Sequence, residues 1–201
     1  MRCWRPDSKG ARQISPRSYH HGNLRRVIVD AAVQAISESG PAGWSLRELA
    51  RRAGVSHAAP AHHFGDKTGL LTVVAAEGFA LFADELEAAG EDFLKVGMAY
   101  VRFATEHRTH FEVMFRPELY RADDPGLGAA RDRADEILAR GARTLPGGRD
   151  GEETAAIAAW SIAHGFASLW LSGALPGRLD TTPEDAARPV LKLLFDRDGA
   201  T

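Results

Sequence analysis

The 201-residue sequence predicts an all-α fold, with an N-terminal three-helix helix-turn-helix domain and a larger helical body behind it. Three observations point there. Between Trp44 and Leu71 two short helical signals flank a glycine-containing turn, apolar residues elsewhere recur at three- and four-residue steps, and the two ends of the chain differ in charge. Residues 1–70 carry 11 Lys and Arg against 5 Asp and Glu, a surplus of 6; the remainder carry 14 against 22, a deficit of 8, giving the net −2. A hydrophobic content of 44% suffices for a packed core.

In chain order, residues 1–18 hold Arg2, Arg5, Lys9, Arg12, Arg17 and two prolines without apolar periodicity, and read as a flexible basic arm. The head spans residues 19–66. Leu24, Val27, Ile28, Ala31, Ala32, Ala35 and Ile36 form one helical stripe that stops near Gly40-Pro41. Ser45 is then an N-cap with Glu48 three residues on, so that each can satisfy the other's backbone donor while Trp44 staples against Leu49. Ala50 and Ala53 allow a close helix crossing, Gly54 supplies the positive φ that ends this helix, Val55 points inward, and Ser56 caps the second helix. Asp66 caps a long helix to about Gly90, which opens the body, residues 67–201. Further helices are expected near 93–107, 109–115, 126–145, 152–172 and 182–195, with a loop at Pro146-Gly147-Gly148 and no internal repeat.

In a helix-turn-helix the second helix enters the DNA major groove, so base reading would begin at His57 to His63. With Tyr19-His20-His21-Gly22-Asn23-Leu24-Arg25 before it and Phe64-x-x-Lys67-x-x-Leu70-Leu71 after it, this stretch resembles the TetR family of bacterial transcriptional repressors over roughly the first third of the chain. Trp160-x-x-x-His164-Gly165 resembles the C-terminal domain of one TetR subgroup, named for its Trp, His and Gly. The resemblance implies an all-helical homodimer whose C-terminal domain serves ligand binding and dimerisation. It implies that His57, Ala58, Ala59, Ala61 and His62 face DNA bases and that Ser45, Ser56, His63 and Lys67 meet phosphates. Pro60 and Ala61 depart from the leucine and tyrosine frequent at these positions, but proline is tolerated in a first helical turn, and Pro60 and Phe64 should face the core. The reading stretch has no Arg, Asn or Gln, which leaves alanine methyls and imidazoles for direct readout, while the arm could lay arginines in a minor groove.

The body gathers aromatic and Met side chains with few acids or bases. Tyr100, Phe103, Ala104, Phe111, Met114, Trp160, Ala163 and His164 are therefore the candidate pocket for a small lipophilic effector, against the alternative of plain core packing. Trp160 and His164 share a helix face, and Gly165 suggests a close helix crossing, so a structural role for the trio competes with ligand contact. Residues 155–171 are apolar almost all round, broken by Ser161, His164 and Ser168, so one face should pack inside the subunit and another against a twin. Val190, Leu191, Leu194 and Phe195 would complete that interface. A two-fold protein would read an inverted repeat with half-sites about 34 Å apart.

Metal and cofactor binding are not expected. His62 and His63 diverge by about 100° on a helix, which leaves the His57, His62, His63 group without ligand spacing, and His107 with His110 reads as a cap or surface pair. Cys3 stands alone and is incidental. No secretory signal is evident and no segment looks long and uncharged enough to span a bilayer, so a cytoplasmic address is expected. The expected function is a ligand-responsive repressor. Its alternatives are a constitutive DNA-bound regulator and an all-helical enzyme with a DNA-binding head, although no serine elbow, phosphate loop or catalytic acid pair is present.

Overall fold

The computed structural model describes residues 16–145, 151–175 and 181–195, and every regular element among them is helical. The elements are α1 (Pro16–Ser39), α2 (Leu46–Arg52), α3 (Ala59–Phe64), α4 (Lys67–Ala88), α5 (Phe93–Glu106), α6 (Arg108–Met114), a 3-10 turn (Pro117–Leu119), α7 (Pro125–Ala142), α8 (Glu152–Ser172) and α9 (Pro183–Lys192). Residues 1–15 of the expected arm and the Pro146-Gly147-Gly148 loop lie outside the described residues. Helix α1 begins inside the stretch expected to lack structure, and proline at its first position suits a turn whose N–H groups have no helical partner.

Helices α1 to α3 close the head over Ile28, Ala32, Ile36, Leu49 and Phe64. Ser45 Oγ accepts the Glu48 N–H at 3.2 Å, and Gly54 takes φ +66°, both as the sequence predicts. Two local expectations are corrected. The Glu48 carboxylate does not complete a reciprocal box; it binds Arg51 at 2.7 Å and Arg52 at 3.0 Å, which hold it down to about 2 in pKa. Ser56 does not cap α3, which starts three residues later behind Ala58 and has no side-chain cap; the Ser56 carbonyl instead accepts the Ala59 N–H at 3.0 Å.

Helix α4 is the spine of the body, packing on α7, α6 and α5. Its carboxylates bind three neighbouring helices: Glu77 meets Arg26 of α1 at 2.9 Å, Glu85 lies 3.5 Å from Arg102 of α5, and Asp84 meets Arg133 of α7 at 2.6 Å, with Glu87 on the same guanidinium. Beneath them Phe82 packs edge-on to Tyr100 with ring centres 5.0 Å apart, and Phe103 is fully buried.

Helix α8 covers one side and is itself poorly covered. Ile157, Trp160 and Leu169 are 54%, 43% and 47% exposed, and a Cβ placed on Gly165 would meet nothing within 4 Å. Among the described residues no helix of the same subunit crosses at that glycine. By length and composition alone α8 just reaches what a bilayer-spanning helix needs, which does not make it a convincing span. The polar breaks in α8 are uncharged, so its mean hydropathy reaches 1.2 over an 18-residue window.

Candidate nucleic-acid interface and ligand cavity

The turn at Gly54 sets α3 across α2 so that one side of α3 enters the core and the other meets solvent. Pro60 and Phe64 are buried, as their spacing predicts, and His57, Ala58, Ala61 and His62 are exposed together. Ala59 departs from the set assigned to DNA bases. It is 8% exposed, because α3 starts later than expected and turns this methyl onto the core beside Pro60. His63 is half-buried between His62 and Phe64.

The residues expected at phosphates flank this face. Ser45 and Ser56 are exposed, and Ser45 keeps its O–H as a donor because its oxygen serves as the cap acceptor. Lys67 is more committed. Its Nζ donates to Trp44 O at 2.9 Å and Ala42 O at 3.1 Å and stands 4.3 Å from the centre of the Trp44 ring, leaving one donor over; burial lowers its pKa. It joins the first turn of α4 to the loop before α2. Charge at this end is also more internally balanced than the sequence sum suggests, since Arg26, Arg51 and Arg52 are ion-paired to Glu77, Glu48 and Glu38. Arg47 is exposed on α2 and Arg25 lies 5.3 Å over the Phe64 ring; neither is among the residues that the sequence assigns to phosphates.

Behind the head, a cavity of about 900 Å³ opens between α4, α6, α7 and α8. Its apolar wall is Phe79, Phe82, Phe115, Leu138, Ile157 and Trp160. Of the eight residues assigned to an effector pocket, Met114 and Trp160 border it; Phe103, Ala104 and Phe111 are buried within the core, Tyr100 and Ala163 border a space of about 20 Å³ on the α9 side, and His164 is half-buried beside Tyr100. The sequence predicts a pocket with few charges, yet Arg131, Asp135, Glu152 and Glu153 stand in this wall. Burial raises the Asp135 carboxyl against the pull of Arg131.

Trp160 and His164 meet through a residue 60 and 64 positions away from them. Trp160 Nε1 donates to Tyr100 Oη at 3.0 Å, and the same hydroxyl lies 2.9 Å from His164 Nδ1. Burial holds the Tyr100 hydroxyl protonated and lowers the His164 pKa, so a neutral hydroxyl and a neutral imidazole share this hydrogen bond, its donor set by the imidazole tautomer. Both indole and imidazole are thereby satisfied inside the body. The His107 and His110 pair is not a surface pair: His110 is 7% exposed, with Nε2 3.5 Å from Glu77, while His107 ends α5 and lies 3.1 Å from Glu85. Glu85, Glu106 and His107 form a close acidic and imidazole group, with Arg102 beside Glu85.

Comparison with known proteins agrees with this geometry. Residues 28–74 match the bacterial regulatory proteins of the tetR family, and residues 93–194 match the tetracyclin repressor-like C-terminal domain. The HTH-type transcriptional regulator BetI of Burkholderia mallei (strain NCTC 10229) is 30% identical over 189 residues, covering 86% of this chain and 90% of that protein. A protein of unknown function from Rhodococcus sp. RHA1 has 31% identity and a TM-score of 0.70, covering 89% of this chain and 98% of its own. AibR, solved with isovaleryl coenzyme A and operator DNA, is 16% identical and shares the fold with a TM-score of 0.61 over 86% of this chain and 98% of its own. With head and body both matched and a relative at 30% identity along most of its length, the chain belongs to the TetR family of transcriptional regulators.

Proposed function

We propose that this regulator is a cytoplasmic homodimeric repressor that holds an inverted-repeat operator through α3 and is released by a small lipophilic effector. The observation that carries the reading is the pairing of an exposed His57, Ala58, Ala61, His62 face with a roomy aromatic cavity at the other end of α4. Bases would meet that face, and Ser45, Ser56, His63 and the remaining donor of Lys67 would meet phosphates, joined by Arg47. The exposed apolar face of α8, with α9 beside it, is the surface offered to the second subunit; Gly165 would let the twin helix approach closely. Trp160, His164 and Gly165 support placing the body in the subgroup named for those residues.

The effector is read as a molecule with an apolar body against Phe79, Phe82, Phe115 and Trp160 and a polar end toward Arg131, Asp135, Glu152 and Glu153. AibR, of like fold, was solved with isovaleryl coenzyme A, so acyl-coenzyme A thioesters belong in a first screen beside aromatic and aliphatic acids and amines.

Selection of duplexes from a random library, followed by a salt titration, tests the DNA half. Arg47→Ala should lower affinity for all sequences alike and reduce the magnitude of the log K against log salt slope by about 2 per dimer. An unchanged slope with altered sequence preference removes Arg47 from the phosphate contacts. Native mass spectrometry and a thermal-shift screen test the effector half. Failure of every ligand class to bind the cavity would leave the constitutive reading.

A further inference from the structure

Two consecutive residues between α6 and α7 touch both functional regions. Tyr120 is extended, with φ −139° and ψ 174°, and extended backbone sends neighbouring side chains to opposite sides. The Tyr120 ring faces the 900 Å³ cavity, 8% exposed, and its hydroxyl donates to Met114 O at 2.7 Å. Arg121 turns the other way. Its backbone N–H donates to Thr72 Oγ1 at 3.0 Å, and Nη2 donates to Asp66 Oδ2 at 2.8 Å. Asp66 is the residue that joins the recognition helix to the spine: its N–H donates to Phe64 O at 3.0 Å, and its Oδ1 accepts the Gly69 N–H at 2.7 Å.

Gly69 lies against both sides of this clamp. A Cβ there would first strike the Phe64 carbonyl that ends the recognition helix, and would also lie 2.6 Å from Arg121 Nη1. Arg121, Gly69, Thr72, Phe64 and His63 also border a cleft of about 510 Å³ between head and body, open space into which a released guanidinium can swing.

We infer that Tyr120 and Arg121 form a lever, in which Arg121 is a positioning residue that fixes the recognition helix through Asp66 and Tyr120 is the arm that an occupant of the cavity displaces. The cavity end rests on the effector reading above; the clamp end does not. Displacing the Tyr120 ring pulls on the same backbone that holds Arg121, so the Asp66 contact loosens and α3 gains freedom relative to α4. The effector therefore does not have to move the whole of α4 to be felt at the DNA.

Hydrogen exchange of the full chain, read over residues 59–72, tests this without any ligand or operator. Arg121→Ala should raise exchange of the Gly69 amide about tenfold. Arg121→Lys should restore part of the protection, since an ammonium keeps the charge that pairs with Asp66 but lacks the planar guanidinium that lies against Gly69. Ala156→Trp, which fills the cavity, should raise exchange over residues 59–72 when Arg121 is present and add nothing when it is alanine. Tyr120→Phe, which frees the strap from Met114 O without bulk, should behave the same way should the tryptophan variant fail to fold. Unchanged exchange in Arg121→Ala, or cavity effects of equal size with and without Arg121, overturns the lever. Failure of the effector reading shows elsewhere, in the ligand screen, and leaves this result standing.

Discussion

Tyr100 shows at a single residue what holds the middle of the body together. Its hydroxyl accepts from Trp160 and shares a hydrogen bond with His164, so Tyr100→Phe leaves an indole N–H and an imidazole nitrogen without their partner in a half-buried place. That change should cost about 1–3 kcal/mol, read from urea unfolding. The pH dependence has a definite sign. Burial lowers the folded pKa of His164, so the folded chain resists a proton that the unfolded chain accepts, and stability is complete above about pH 6.5 and falls as pH drops below it. His110, lowered chiefly by burial, adds in the same direction. His164→Asn, which keeps an acceptor toward Tyr100, should flatten part of this decline in a series of thermal midpoints; an unaltered profile would remove His164 as a contributor. The i, i+4 spacing of Trp160 and His164 was legible in the sequence. Their shared partner was not, because no local pattern ties positions 100 and 160.

At the scale of elements, the helices with strong chemical boundaries were the readable ones. Asp66, with its carboxylate on Gly69, and Ser45, with its hydroxyl on Glu48, start α4 and α2 where their cap chemistry predicts, and α8 runs from Glu152 to Ser172 as its apolar length predicts. Helix α3 has no such marker. Ser56 was a plausible cap, but two further turn residues intervene, and the shift carries Ala59 from the DNA side to the core. The cavity was less legible still, since the residues lining it depend on which faces of α7 and α8 meet, a question of packing between distant segments. Ser45→Ala should cost about 1 kcal/mol in chemical unfolding and loosen α2 without displacing α3. Lys67→Met keeps stem length but removes the ammonium from two carbonyls and an indole face; the head should lose about 1–3 kcal/mol, with Trp44 fluorescence shifted to the red as water enters.

For the molecule as a whole, pairing through α8 is the expectation that organises the rest. Ile157→Glu with Leu169→Glu places like charges on that exposed apolar face, and light scattering should then report a monomer that binds a selected inverted repeat at least a hundredfold more weakly. A dimer of undiminished stability would move the interface elsewhere. The basic surplus of the first seventy residues lies mostly in residues 1–18, and within the head Arg26, Arg51 and Arg52 are paired at the surface with carboxylates of α4, α2 and α1. One consequence concerns the solution around the protein. The seam between head and body is crossed by Arg26 with Glu77 and by Arg121 with Asp66, both partly open to water. Mobile ions that weaken the pull of phosphate on the head also weaken the attachment of the head to its own body, within a screening distance of about 10 Å at 0.1 M salt. Ionic strength thus acts on this regulator twice, once at the nucleic acid and once at the neck, so part of any measured salt sensitivity belongs to a flexing protein and not to displaced counterions.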